Sequence, residues 1–142
     1  GLKIITNNIN IVNIAGNSKN CEVWVAGGKL RSADNAIVGS LASDFISNFK
    51  IDYAIVGISA IDKEGTLLDF DHEELMVTKA IYKQSRRKIL IADANKFDRK
   101  APYVTGNIGD IDIFVTDKMP DKNIINICEK NNVEIIISSN KN

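Results

Sequence analysis

Little in this chain is of the kind that fixes a small protein by covalent or metal chemistry. Its 142 residues hold two cysteines, one histidine, one tryptophan and two prolines. Cys21 and Cys128 are far apart and have neither CxxC nor zinc-ligand spacing. A disulfide framework is therefore excluded, and two reduced thiols of a cytoplasmic protein are expected. Charge of one sign is also missing, because eighteen Lys and Arg face eighteen Asp and Glu. A domain that grips a phosphate backbone carries a basic excess, so this chain by itself is not expected to bind DNA. No apolar run reaches the about 20 residues that span a bilayer, and the N-terminus lacks the pattern of a signal peptide. No membrane contact is expected. Walker A and GxGxxG fingerprints are absent too, which disfavours the standard nucleotide sites.

What remains is a chain of 44% hydrophobic residues, rich in Ile and Val and long enough for one domain with a single core. Helical spacing covers Asn7 to Ala15, with Gly16 as a stop. Cys21 to Ala26 reads as a strand closed by Gly27-Gly28, a polar loop follows, and Gly39 to Phe49 reads as a helix. Tyr53 to Val56 and Ile89 to Ala92 are uniformly apolar, as strands covered on both faces are. Between them, Thr66 to Leu68 is extended and a helix runs from Asp71 to about Ser85. Asp71 and Glu74 form an aspartate version of the capping box, and Arg86-Arg87-Lys88 closes the helix at the negative end of its dipole. Tyr103 to Ile108 is a short strand or loop; Asp112 to Val115 is a strand, Asp121 to Asn131 a helix and Val133 to Ile137 a last strand. The repeated strand-helix order predicts an α/β fold of three layers, a mostly parallel sheet with helices on both faces.

Five apolar segments end in short polar signatures: Thr6-Asn7, Gly27-Gly28, Gly57-Ile58-Ser59, Asp93 to Lys96, and Thr116-Asp117. In a parallel sheet the strand C-termini share one edge, and ligands bind in the crevice outside it. One sheet would thus gather amide, hydroxyl, glycine backbone and an ammonium at one rim, a set suited to an anionic small molecule. Each signature also has a plainer explanation. Gly27-Gly28 is either a close-approach site or a tight turn, and Asp93 with Lys96 either holds an anion or is a surface ion pair. Arg31 either reaches the rim as a phosphate ligand or is solvated. Asp69 to Glu74, around the single His72, reads as a helix start and not as a metal cluster. Asp62 and Glu74 are candidates for an acid/base pair, although a turn aspartate and a helix-start glutamate explain both without chemistry.

These residues give the chain a resemblance that runs nearly end to end. Thr6-Asn7-Asn8, Gly27-Gly28 with Arg31, Gly39, the block Gly57 to Asp62 through Gly65, Glu74, Asp93 with Lys96-Phe97, and Thr116-Asp117 together resemble the C-terminal effector-sensing domain of the DeoR family of bacterial transcriptional repressors. Within it, Ile58 to Asp62 followed by Leu67-Leu68-Asp69-Phe70-Asp71 is most similar to the branch that answers to glycerol-3-phosphate.

The resemblance implies a fold shared with ribose-5-phosphate isomerase and glucosamine-6-phosphate deaminase, used as a sensor without cofactor, metal or catalysis. It implies sn-glycerol-3-phosphate as inducer and a homo-oligomer, a tetramer being the expected state. Family members add an N-terminal winged helix-turn-helix that contacts the operator, and a strand ending in a glycine-threonine loop ahead of the position of Gly1. Neither occurs in this chain, which therefore resembles an N-terminally truncated sensing domain. Carried over by position, Thr6 and Asn7 line the phosphate end, Gly27 and Gly28 allow backbone approach, and Lys96 adds charge. Gly57, Ser59 and Asp62 floor the site, with Glu74 toward the ligand hydroxyls and Arg31 and Asp93 at its rim. Asn95 stands where the family usually has serine, and Asp98 where glycine is common. The rival expectation is a sugar-phosphate isomerase or deaminase on the same fold.

Overall fold

The computed structural model describes residues 1–138. The chain begins with β1 (Leu2–Thr6) and α1 (Ile9–Ala15), the latter capped by Asn8, whose side chain accepts the Asn10 N–H at 2.9 Å. β2 (Cys21–Val25) lies parallel to β1, with Thr6 beside Val25. The stretch after Gly28, expected as a polar loop, is instead a hairpin of β3 (Lys29–Arg31) and β4 (Ala36–Val38). Asn35 turns it at φ 59°, a left-handed conformation that asparagine tolerates better than most residues. The hairpin leads into α2 (Ser40–Ile46), which stops short of Phe49.

Next come β5 (Ile51–Val56), β6 (Ala60–Ile61), β7 (Thr66–Asp69) and α3 (His72–Gln84). They are followed by β8 (Ser85–Ile91), β9 (Tyr103–Asn107), β10 (Ile113–Thr116), α4 (Lys122–Lys130) and β11 (Glu134–Ile137). The main sheet is wholly parallel in the order β11-β10-β8-β5, while β6-β7-β9 form an antiparallel sheet. The α/β reading therefore holds, but the single sheet does not. β1 and β2 pair only with each other among the described residues, and the outer edge of β5 carries no ladder.

Alternation along the main strands sends Ala54, Val56, Leu90, Ala92 and Phe114 to one face, where they pack with Ile124 and Cys128 of α4, Ile81 and Tyr82 of α3, and Ile61 and Leu67 of the antiparallel sheet. Leu90 and Phe114 are fully buried, and the Phe114 ring meets Phe97 edge-on at 5.9 Å. The opposite face departs from the expected second helical layer. Tyr53 is 60% exposed, Ile55 67% and Ile91 49%. A smaller core under β2 and the hairpin joins Ala26, Ile37, Ala42, Ile46 and Val77.

Arg86, Arg87 and Lys88 lie inside β8 and do not close α3. The helix ends at Gln84 and the strand begins at Ser85, with Arg87 beside Tyr53 and Lys88 beside Ala54. Pairing with β5 outweighs the dipole preference that the three cations suggested. Both cysteines are free, Cys128 buried and Cys21 half-buried. Among the described residues no helix is long and apolar enough to cross a membrane.

Candidate functional site

The end of β1 is tied to the hairpin by backbone and side chain together. Asn7 donates from Nδ2 to Ile37 O at 2.9 Å, and its own carbonyl accepts the Ile37 N–H. Thr6 is buried; its Oγ1 accepts the Asn8 N–H at 3.1 Å, and among the described residues its hydroxyl donates to no acceptor. Gly28 has φ 147°, and a Cβ there would stand 3.0 Å from Ile37 Cγ2 and 3.1 Å from Val38 O. Glycine is required at that point for the chain to pass against β4. Around Gly27 nothing lies within 4 Å of a Cβ position, so its backbone is open to an approaching group.

Arg31 crosses from the hairpin to the start of α3. Its Nη1 contacts Glu74 Oε2 at 2.7 Å and Asp71 Oδ2 at 3.0 Å, while Nε and Nη2 hold Asp34 at 3.0 and 2.6 Å. Hydrogen bonds donated to Asp34 and Glu74 raise its already high pKa further. Four of the five guanidinium N–H groups thus face carboxylates, and an anion reaching Arg31 would meet this negative charge. Glu74 correspondingly departs from the expected capping box. Asp71 does cap α3 by accepting the Glu73 N–H at 2.9 Å, but the Glu74 side chain turns to Arg31.

Beside this cluster lies a carboxylate that the sequence reading passed over. Asp69, at the end of β7, is 2% exposed. Its Oδ1 accepts the Ser59 hydroxyl at 2.8 Å and its Oδ2 the Thr105 hydroxyl at 2.9 Å. Burial raises its pKa; the two hydroxyls oppose that rise and the nearby Glu74 charge adds to it. The Tyr82 hydroxyl, without a partner among the described residues, is held protonated by burial and by the Asp69 and Asp110 charges. The available signal was an acid inside the apolar stretch Leu67 to Phe70, two positions ahead of the helix cap Asp71.

The remaining candidates gather at the C-terminal edge of the main sheet. Gly57 follows β5, and a Cβ on it would stand 3.9 Å from the carbonyl of Ile91 at the end of β8. Asp93 caps the 3-10 turn Ala94–Lys96 by accepting the Asn95 N–H at 2.9 Å. Asp117, just past β10, accepts the Ala94 N–H at 2.7 Å. Lys96 is half-buried, and its ammonium makes no ion pair among the described residues. Asp62 is engaged in a turn, with Oδ1 accepting the Glu64 and Thr66 N–H groups at 2.9 Å each. It also lines a cavity of about 180 Å³ with Lys63, Phe97, Asp98, Asp121, Asn123 and Ile124.

The candidates thus fall into two groups. Thr6, Asn7, Gly27, Gly28, Arg31 and Glu74 surround the hairpin and the start of α3. Gly57, Asp93 and Lys96 follow strands of the main sheet, and Asp62 follows β6 of the antiparallel sheet. Ser59 follows β5 and Gly57, and its hydroxyl donates to Asp69 at the end of β7. Asp62 and Glu74 have separate partners and are not hydrogen-bonded to each other.

Comparison with known proteins matches residues 1–118 to the family described as the DeoR C terminal sensor domain. The chain is 37% identical over 134 residues to the glycerol-3-phosphate regulon repressor of Escherichia coli K12, covering 94% of this chain and 53% of that protein. It is 36% identical over 140 residues to the repressor of the same name from Haemophilus influenzae, covering 99% and 54%. With the HTH-type transcriptional repressor CsqR of Escherichia coli K12 the identity is 32% over 136 residues, covering 96% and 52%. The chain spans about half the length of these curated relatives. A family match over most of the sequence, together with this level of identity, leads to one conclusion: the chain belongs to the DeoR C-terminal sensor domain family.

Proposed function

We propose that this domain is the effector sensor of a DeoR-type transcriptional repressor, that its effector is a small phosphorylated polyol, and that the effector is sn-glycerol-3-phosphate. The supporting observation is the 37% identity over 94% of the chain to a relative named for the glycerol-3-phosphate regulon. The chemistry agrees. On the main-sheet side Lys96 offers an ammonium that makes no ion pair among the described residues; on the hairpin side Gly27 offers an exposed backbone and Thr6 a hydroxyl, while Ser59, held by Asp69, supplies an acceptor.

In this reading the domain is a cytoplasmic, non-enzymatic module of a homo-oligomer. It belongs with the ribose-5-phosphate isomerase and glucosamine-6-phosphate deaminase folds. Operator contact lies with a DNA-binding portion outside residues 1–142, in the half of the relatives that this chain does not cover. The effector acts only by binding one arrangement of the repressor more tightly than the other, with a coupling of about 1–3 kcal/mol.

Thermal denaturation of the protein against a panel of polyol and sugar phosphates tests the proposal, since a ligand selective for the folded state raises the melting temperature. Glycerol-3-phosphate is expected to give the largest shift, and Lys96→Ala to weaken it by about tenfold or more. A flat response to every phosphate would end the sensor reading. Turnover of a sugar phosphate would replace it with the enzymatic one.

A further inference from the structure

A serine hydroxyl carries one hydrogen and two lone pairs, and an ionised carboxylate only accepts. Asp69 is buried and takes two hydroxyl hydrogens, from Ser59 on Oδ1 at 2.8 Å and from Thr105 on Oδ2 at 2.9 Å. Ser59 itself is half-buried, so it is the member of this trio that faces outward. What it presents there is an oxygen whose hydrogen is already used.

Thr6 is its opposite. The Thr6 Oγ1 accepts the Asn8 N–H, and among the described residues its hydrogen goes to no acceptor. Two hydroxyl side chains of similar chemistry thus carry reversed polarity because of their partners. An anionic phosphate oxygen is an acceptor. An ammonium such as that of Lys96, or a hydroxyl able to donate, serves it, and Ser59 with a carboxylate behind it repels it. A free hydroxyl of a ligand is a donor and is served by Ser59.

Resting on the proposed function, we infer that Asp69 is a positioning residue that turns Ser59 into an obligatory acceptor, so that Ser59 reads an unesterified hydroxyl of the effector and excludes a phosphate group from that end. The ligand class follows: a phosphomonoester that carries a free hydroxyl, bound in one orientation. A monoester of a simple alcohol lacks the group that Ser59 requires, and a bisphosphate esterified at that end puts an anion where Ser59 needs a donor. Exchange of Asp69 for asparagine reverses the device. The amide places an NH2 donor opposite one of the two hydroxyls, and a Ser59 that accepts from it points its own hydrogen outward.

The test is calorimetric titration of the intact protein with two probes, sn-glycerol-3-phosphate and n-propyl phosphate, which share the phosphate but not the hydroxyls. The unchanged protein is expected to prefer the first by at least about tenfold, the worth of one well-placed hydrogen bond. Ser59→Ala and Asp69→Asn are expected to bring that ratio close to one while leaving the propyl phosphate affinity within about twofold. A role confined to holding the fold would weaken both probes together and leave the ratio intact. Circular dichroism checks that each variant is folded, and Ser59→Ala decides alone if Asp69→Asn is not. A ratio that survives both substitutions, or an unchanged protein that does not discriminate, overturns the inference and leaves the proposed function standing. An unchanged protein that binds neither probe overturns the proposed function itself.

Discussion

The guanidinium of Arg31 sits 2.7 Å from the carboxylate of Glu74, forty-three residues away in the chain, and thereby fastens the β3–β4 hairpin to the first turn of α3. The Arg31 side chain is 25% exposed and also meets Asp34 and Asp71. Its removal leaves three carboxylates facing one another. Arg31→Ala is expected to cost about 1–2 kcal/mol, above the worth of an exposed pair and below that of a fully buried one. Urea denaturation measures it. A change under about 0.3 kcal/mol would show that the contacts carry no net stability.

The dependence of stability on pH should have two limbs of opposite sign. The Arg31 hydrogen bond lowers the Asp34 pKa below its ordinary value of 3.8. Burial works to raise Asp71, but the Glu73 N–H and Arg31 outweigh it, and the net shift is downward. Stability from these two groups is complete above pH 3.8 and drains away as the pH falls through their lowered folded values. Asp69 is raised, chiefly by burial, so its contribution is complete below 3.8 and is lost as the pH rises through the raised value. Denaturation midpoints at a series of pH values should show Arg31→Ala flattening the acid limb and Asp69→Asn flattening the decline above it.

Gly27 and Gly28 should behave differently although they are neighbours. Gly28→Ala meets Ile37 and Val38 in a left-handed backbone conformation and is expected to cost about 1–3 kcal/mol. Gly27→Ala meets nothing within 4 Å and should leave the melting temperature almost unchanged. If a ligand approaches that backbone, the same methyl lowers its affinity. Melting curves with and without glycerol-3-phosphate separate the two effects.

The two faces of the main sheet provide a further contrast. Leu90 is fully buried, and Leu90→Ala is expected to destabilise by about 2–5 kcal/mol. Ile55 pairs with Ile89 on the open face and is 67% exposed, so Ile55→Thr should change stability by less than about 0.5 kcal/mol. It should also reduce binding of a hydrophobic dye. A large loss at Ile55 would mean that this face is covered in solution.

Local patterning carried most of the elements, because apolar spacing and caps act within a few residues. Asp71 caps its helix as its sequence indicates, and the strand expected at Tyr53 to Val56 is present and runs Ile51–Val56. The hairpin was missed because Lys29–Arg31 and Ala36–Val38 are three residues each, too short to show a period. Arg86-Arg87-Lys88 misled because partner strands lie outside the window in which a cationic run is read. The site was legible as residue types only. That Arg31 gives its N–H groups to Glu74 and that Ser59 is oriented by Asp69 depends on contacts spanning 43 and 10 residues, which no local pattern announces.

α3 passes into β8 without an intervening residue, Gln84 ending the helix and Ser85 opening the strand. Thirteen helical residues make a strut of about 20 Å with no slack at its far joint. A tilt imposed where Glu74 and Asp71 sit cannot be absorbed by a flexible link. It must be taken up by sliding β8 against β5 and β10, so whatever moves the carboxylate end of this lever is felt in the middle of the main sheet.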